Sequence, residues 1–151
     1  MDKYSSFIEL KKSEENTAYK IRHNRGDSSK YLIMAPHGGG IEPGTSELAE
    51  RIAGQKFMFY SFDGTKKRGN KILHIASERY DEEQAVRMVQ DSDIVIAIHG
   101  AKGNDKKIYL GGLDKDLKNK LASAIKESGF PVEETNIPRG LHGKSHKNIC
   151  N

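Results

Sequence analysis

The sequence has a single cysteine, Cys150, and no long apolar run. One cysteine cannot form an internal disulfide, so the fold must rely on its core or on a bound metal. No uninterrupted apolar stretch approaches the roughly 18 residues of a membrane helix. Residues 1–11 alternate charged with apolar side chains, where a secretory signal needs an apolar core. We therefore expect no membrane contact and no export signal, and a protein that stays cytoplasmic after synthesis unless lysis releases it.

Repeats, low-complexity tracts and linkers rich in proline or glycine are also absent from the 151 residues. A chain of this length is typical of one domain. Its composition, 35% hydrophobic and 30% charged, carries enough periodic apolar segments to exclude a disordered tail. We predict a single folded domain over residues 1–151.

Charge of neither sign dominates, since 25 Lys and Arg against 21 Asp and Glu leave a net charge of +4. This mild excess favours a polyanionic ligand through electrostatic steering. Basic clusters at 66–68, 106–107 and 144–147 have no interleaved aromatic residues, which a single-stranded nucleic-acid platform requires. We interpret the clusters as solvated loops and expect no nucleic-acid partner.

Short apolar runs alternate with amphipathic segments along the chain. The runs predict strands at 19–23, 31–35, 57–61, 71–76, 93–98 and 130–133, with a short segment at 108–110. The β-branched run at 93–98 is expected to be the central strand, buried on both faces. This alternation predicts an α/β fold, a three-layer α/β/α sandwich around a mostly parallel, mixed and twisted sheet.

Three amphipathic segments predict helices between these strands. Thr45 or Ser46 is expected to cap the first, which runs to Ala53 with Leu48 and Ile52 on its apolar face. The second helix is expected to be capped by Asp81 and to run to Gln90, with Ala85, Val86 and Val89 facing inward. The third is expected to be capped by Asp114 and to end at Gly129. Its apolar stripe consists of Leu117, Leu121, Ala124 and Ile125.

Two histidines directly follow apolar strands, and each is followed by glycine. These are His37, which opens the run Gly38-Gly39-Gly40, and His99, which precedes Gly100. In open α/β sheets, ligands gather beyond the carboxyl ends of the strands. Glu42 follows His37 by five residues, and the flexible glycines allow its carboxylate to turn back toward the imidazole. Two imidazoles and one carboxylate are typical of a catalytic zinc set with one position free for water.

The same residues are also compatible with roles that need no metal. A strand-end histidine is commonly a hydrogen-bonded structural residue, although two such histidines near a glutamate favour a metal. His74 is a further candidate ligand, a substrate contact or a buried structural residue. The glycine run before the predicted helix could also bind an anion, though Glu42 would repel one.

Two further motifs are incomplete. A His-Gly-Gly-Gly loop occurs as an oxyanion hole in esterases, but the Gly-x-Ser-x-Gly elbow of that chemistry is missing. Gly143-Lys144-Ser145 partly matches a phosphate loop, yet Pro138 occupies the place of the required first glycine. Serine hydrolase and nucleoside-triphosphate chemistry are therefore excluded.

The same residues resemble a known family, the phage-type poly-γ-glutamate hydrolases, which are small zinc enzymes with a carboxypeptidase-like fold. The resemblance extends from about residue 18 to the end of the chain. The matching blocks are Met34–Glu47, Tyr60–Gly64, Leu73–Ser77, Ile98–Gly100, Gly111–Leu113 and Leu141–Gly143.

The resemblance implies Zn2+ as the cofactor, held by His37, Glu42 and His99. It also implies a polyanionic poly-γ-glutamate substrate whose γ-glutamyl amide bonds are hydrolysed. Arginine offers a two-pronged guanidinium for the substrate carboxylates, so Arg68, Arg79 and Arg139 are candidate clamps, with His74 as a further substrate contact.

The general base of the family is a glutamate in a final strand, which we expect beyond Asn151. The 151 residues would then lack that strand, and Glu78 is the candidate substitute within the chain. A function of a different class is a non-catalytic, zinc-containing module that binds polyanions. The oligomeric state is not predicted by any of these features.

Overall fold

Four of the predicted apolar runs pair into one sheet. The computed structural model describes residues 2–27 and 30–151. Along the chain, the described residues form α1 (Phe7–Ser13), β1 (Tyr19–Asn24), β2 (Tyr31–Gly39), α2 (Thr45–Ala53), β3 (Met58–Gly64), α3 (Glu83–Gln90), β4 (Ile94–Ala97), β5 (Ile108–Tyr109), α4 (Lys115–Glu127) and β6 (Val132–Glu133). Short 3₁₀ turns occupy Asn70–Leu73, Ser77–Arg79 and Arg139–Leu141.

The main sheet has the strand order β1-β3-β2-β4. β2 lies parallel to both β3 and β4, and only β1 runs antiparallel to its neighbour. The predicted α/β fold with a mostly parallel sheet is therefore confirmed. β5 and β6 form a separate parallel pair.

Alternate side chains of β2 and β3 point to opposite faces of the sheet, as the pleat requires. On one face, Met34 and Phe62 belong to a core that also contains Leu10 of α1 and Met88 of α3. On the other face, residues of β2 and β3 pack with two alanines of α2. Helices cover both faces, which gives the three layers.

The predicted apolar face of α2 is wrong. Leu48 and Ile52 are 50% and 44% exposed, whereas Ala49 and Ala53 are buried against the sheet. Small alanine side chains let the helix backbone approach β2 and β3 closely. The predicted cap is also wrong. The residue that precedes α2 is Gly44, which has a left-handed backbone conformation and no side chain to cap the helix.

The predicted strand at 71–76 is wrong as well. The segment contains a 3₁₀ turn and an irregular stretch in which Leu73 and Ile75 are fully buried. Their alternation with the half-buried His74 imitates the burial pattern of a strand. Within the described chain it pairs with no strand, so it belongs to no sheet.

Two further predictions need correction. β4 is not central, because it pairs only with β2 among the described strands and its side chains are half-buried. α3 is capped by Glu82 rather than Asp81, whose carboxylate instead accepts the backbone N–H of Phe7. Inside α3 the buried residues are Ala85 and Met88, with the predicted valines half-buried.

α4 begins as predicted, since the Asp114 carboxylate accepts the backbone N–H of Leu117. Its stripe is only half-buried, and Ala124 is exposed. No helix in the described part of the chain is long and apolar enough to cross a membrane.

Candidate metal centre

The register of the neighbouring parallel strands β2 and β4 brings His37 and His99 together. Met34 of β2 lies opposite Ala97 of β4, and the Ile98 amide donates to the Met34 carbonyl at 2.8 Å. Both histidines therefore lie just past this pair, at the carboxyl edge of the sheet. The His37 side chain is 2% exposed, whereas that of His99 is 32% exposed.

Three potential ligand atoms converge at this edge. His37 Nδ1 lies 3.2 Å from His99 Nδ1. The Glu42 carboxylate spans the pair, with Oε1 3.5 Å from His37 Nδ1 and Oε2 3.5 Å from His99 Nδ1. Ligand atoms around a tetrahedral zinc ion, at zinc–ligand distances of 2.0–2.1 Å, lie about 3.3 Å apart. The donor set and its spacing fit a zinc ion.

The hydrogen bonding of His37 leaves the correct nitrogen free for a metal. Its Nε2 lies 2.7 Å from the carbonyl oxygen of Ile75. A carbonyl only accepts, so Nε2 carries the proton and Nδ1 presents its lone pair to the cluster. Metal-binding histidines commonly have such a carbonyl partner on the other ring nitrogen, which fixes the tautomer.

Glu42 is held in its charged form. Burial alone would raise the pKa of this carboxyl, but the adjacent imidazoles of His37 and His99 and the hydrogen bond from the Gly100 amide lower the pKa well below its usual range. The Gly100 N–H donates to Oε2 at 2.8 Å. The cluster therefore combines a carboxylate with two imidazoles, the combination that zinc binds in hydrolases.

The glycine-rich loop explains how Glu42 returns to His37. The Glu42 amide donates to the His37 carbonyl at 2.9 Å, and the Gly40 amide donates to the carbonyl of Gly64 at the end of β3. Gly39 has a φ of +58°, which favours glycine. An irregularity in the β2–β3 register between Ala35 and Gly38 accompanies this turn.

A buried polar network supports the loop from behind. The Ser46 hydroxyl accepts the Gly39 amide at 3.1 Å and donates to Asp63. Asp63 also accepts the hydroxyl of Ser61 and the Nε of Arg22, the latter at 2.8 Å. A Cβ at Gly38 would lie 1.9 Å from the Ser46 hydroxyl, so no other residue fits there without displacement.

His74 lies beside the cluster without joining it. Its ring stacks on that of His37 with centroids 4.0 Å apart. Its Nδ1 is bonded to Asp2 at 2.8 Å, and the same carboxylate binds Arg79 at 2.9 Å. His74 and Arg79 are therefore close to the candidate metal centre, and an acidic partner within the chain already engages both.

The remaining sequence candidates lie on exposed turns. Glu78 is exposed in the turn Ser77–Arg79, and Arg139 is exposed in the turn Arg139–Leu141. Arg68 is also exposed. Glu78, Arg68 and Arg139 form no ion pair within 4.0 Å among the residues that the structure describes.

Sequence reasoning missed two groups at this site, the Asp2 carboxylate and the Ile75 carbonyl. Asp2 is separated from His74 by 72 positions, so no local pattern signals their contact. The Ile75 carbonyl is a backbone group, which carries no signal in the amino-acid sequence.

Comparison with known proteins gives a family match over nearly the whole chain. A family model described as poly-gamma-glutamate hydrolase matches residues 4–151. Among curated proteins of Bacillus subtilis (strain 168), the UPF0714 protein YmaC is 38% identical over 150 residues, which cover 99% of this chain and 63% of YmaC. The SPbeta prophage-derived UPF0714 protein YoqZ is 39% identical over 150 residues, which cover 99% of this chain and 54% of YoqZ. The chain thus spans less than two thirds of the length of these relatives.

Two solved structures share the fold. The zinc-free apo form of YndL superposes with a TM-score of 0.93 at 36% identity, covering 100% of this chain and 74% of that one. A bacteriophage poly-gamma-glutamate hydrolase superposes with a TM-score of 0.91 at 31% identity, covering 99% of this chain and 72% of the phage chain.

Proposed function

The chain belongs to the poly-gamma-glutamate hydrolase family, and from this premise we propose that it hydrolyses the γ-glutamyl amide bonds of poly-γ-glutamate at a zinc ion held by His37, Glu42 and His99. The observation that carries the proposal is the convergence of three ligand atoms at 3.2–3.5 Å on one sheet edge. His37, Glu42 and His99 would hold the zinc ion, which would supply a bound water of lowered pKa and polarise the amide carbonyl.

The residues of the chain prepare the site for this reaction. The proton on His37 Nε2 is committed to the Ile75 carbonyl, so the ring keeps Nδ1 available. The negative charge of Glu42 offsets part of the charge of the cation. His99 is the most exposed member of the set, so water and substrate reach the cluster from its side.

We assign substrate attraction to exposed positive side chains. Poly-γ-glutamate carries one carboxylate per residue, and the chain has a net charge of +4. Lys102 and Lys106 lie on the exposed loop that follows His99, and neither pairs with a described acidic side chain within 4.0 Å. Arg139 is also exposed and has no described acidic partner within 4.0 Å, so it remains a candidate to bind the substrate carboxylates.

Amide hydrolysis also needs a side chain that transfers protons. Among the described residues, the candidate metal cluster contains no Asp, Glu, His or Cys beyond the three ligands. Glu78 is the candidate within the chain. Loss of a general base typically costs about 10²–10⁴-fold in rate. If Glu78 serves this role, Glu78→Gln lowers kcat by that order while zinc binding is unchanged.

Hydrolysis of the polymer by zinc-loaded protein tests the proposal. We expect gel electrophoresis to show shortened poly-γ-glutamate with the parent protein. The exposed strand residue His23 offers a matched control, so His23→Ala should behave like the parent. Glu42→Gln and His99→Ala should leave the polymer intact.

Failure of the zinc-loaded parent to shorten the polymer would overturn the hydrolase proposal. Binding of the polymer without shortening, measured by retention on immobilised poly-γ-glutamate, would instead support the non-catalytic binding module.

A further inference from the structure

The Asp2 carboxylate gathers three donors from the segment that passes behind the candidate metal centre. Its Oδ1 lies 2.8 Å from His74 Nδ1. Its Oδ2 accepts the backbone N–H of Ala76 at 3.0 Å and a guanidinium N–H of Arg79 at 2.9 Å. One side chain therefore ties the N-terminal segment to residues 74–79.

These bonds hold both neighbours of Ile75, whose carbonyl accepts the Nε2 proton of His37. With His74 and Ala76 anchored to the same carboxylate, the peptide groups on either side of Ile75 have little freedom to rotate. The His74 ring also stacks on His37, with an interplanar angle of 29°. The orientation of His37 thus depends on two contacts that Asp2 controls.

Asp2 is itself held in place by the fold. Two residues further on, Tyr4 is 3% exposed in the main core. Its hydroxyl donates to Glu14. Phe7 of α1 packs in the same core. The carboxylate is therefore presented by an anchored segment.

We propose that Asp2 is a positioning residue of the metal centre, which fixes the 74–76 segment so that His37 keeps its proton on Nε2 and presents Nδ1 to the metal. The inference rests on the proposed metal ligands, but it does not depend on which bond the protein hydrolyses. Partners of metal-binding histidines typically contribute about 10–100-fold to metal affinity. Because Asp2 acts one step further away, we expect the lower end of this range.

The test compares Asp2→Asn with Glu9→Gln. Both substitutions remove one negative charge from the N-terminal segment, but among the described residues the Glu9 carboxylate accepts hydrogen bonds only from Ser5. Competition with a chromophoric chelator gives the zinc Kd. The ¹⁵N chemical shifts of the His37 ring in metal-free protein give its tautomer, independently of zinc and of activity.

We expect Asp2→Asn to raise the zinc Kd about tenfold and to shift His37 toward a mixture of tautomers. Glu9→Gln should match the parent in both measurements. Arg79→Gln, which leaves Asp2 bonded to His74 and Ala76, should change the Kd much less than Asp2→Asn. Melting curves establish a temperature at which every variant is folded, and both measurements are made there.

An unchanged Kd and an unchanged His37 tautomer in Asp2→Asn would overturn the inference. Equal losses in Arg79→Gln and Asp2→Asn would also overturn it, because the effect would then follow the ion pair rather than the 74–76 segment. Unchanged zinc affinity combined with tighter binding of glutarate by Asp2→Asn would show that Asp2 occupies a site for substrate carboxylates. If the parent protein binds zinc but leaves the polymer intact, the proposed function fails while the inference about Asp2 stands.

Discussion

Replacing Gly38 by alanine tests the packing that holds the loop between His37 and Glu42. An added Cβ would lie 1.9 Å from the Ser46 hydroxyl oxygen and 2.3 Å from Asp63 Oδ1. The hydroxyl is fully buried, accepts the Gly39 amide and donates to Asp63. It cannot move aside without losing both bonds.

The cost follows from those two bonds. A hydrogen bond to an ionised group contributes about 1.5–3 kcal/mol and a neutral one about 1 kcal/mol. We therefore expect Gly38→Ala to lower the free energy of unfolding by about 3 kcal/mol. For a chain of 151 residues this corresponds to a fall of about 6–12 °C in Tm.

Thermal denaturation of four variants and the parent measures this effect. Gly140→Ala is the matched control, because a Cβ at Gly140 would meet no atom within 4 Å, and its Tm should match that of the parent. Ser46→Ala removes the same two bonds, so the double variant with Gly38→Ala should lose about 3 kcal/mol less than the sum of the single losses. An unchanged Tm in Gly38→Ala, or strictly additive losses, would show that the Ser46 bonds do not set the cost.

Two further predictions concern ionisable groups. The hydrogen bond from Lys66 is the main cause that lowers the pKa of Glu14 to about 2, so this carboxylate stabilises the fold above its usual pKa, and the stabilisation is lost as the pH falls toward 2. On acidification, the Tm should therefore fall less in Glu14→Gln than in the parent protein. The exposed Glu127→Gln is the control and should behave like the parent. Equal falls in Tm with pH in all three proteins would contradict this prediction. Burial raises the pKa of Cys150 to about 12, so Ellman's reagent near pH 8 should label the native protein slowly and the denatured protein at the full rate. Equal rates in the two states would show that the thiol is accessible.

The candidate metal centre was accessible to sequence reasoning because its signals are local. His37 and His99 each end an apolar run, and parallel strands place their carboxyl ends on one edge. The five-residue step to Glu42 across glycines is likewise a local feature. The predicted trio therefore assembles from strand pairing and one loop.

Features that depend on distant contacts were beyond the sequence. Leu73 and Ile75 are buried on either side of the half-buried His74, as in a strand, yet the segment supports His37 from behind. Its conformation depends on Asp2, which lies near the N-terminus and is distant in sequence. In α2, hydrophobicity alone predicts that Leu48 and Ile52 are buried. In the structure the alanines are buried instead, because their small side chains allow close packing on the sheet.

Zinc content after equilibrium dialysis is the decisive test of the metal centre. We expect one zinc per chain in the parent protein and in the control His23→Ala. We expect no tightly bound zinc in His37→Ala, Glu42→Gln or His99→Ala, because each loses one ligand of a three-ligand site. Full zinc occupancy in these three variants, with affinity equal to that of the parent, would contradict the assignment of the metal centre.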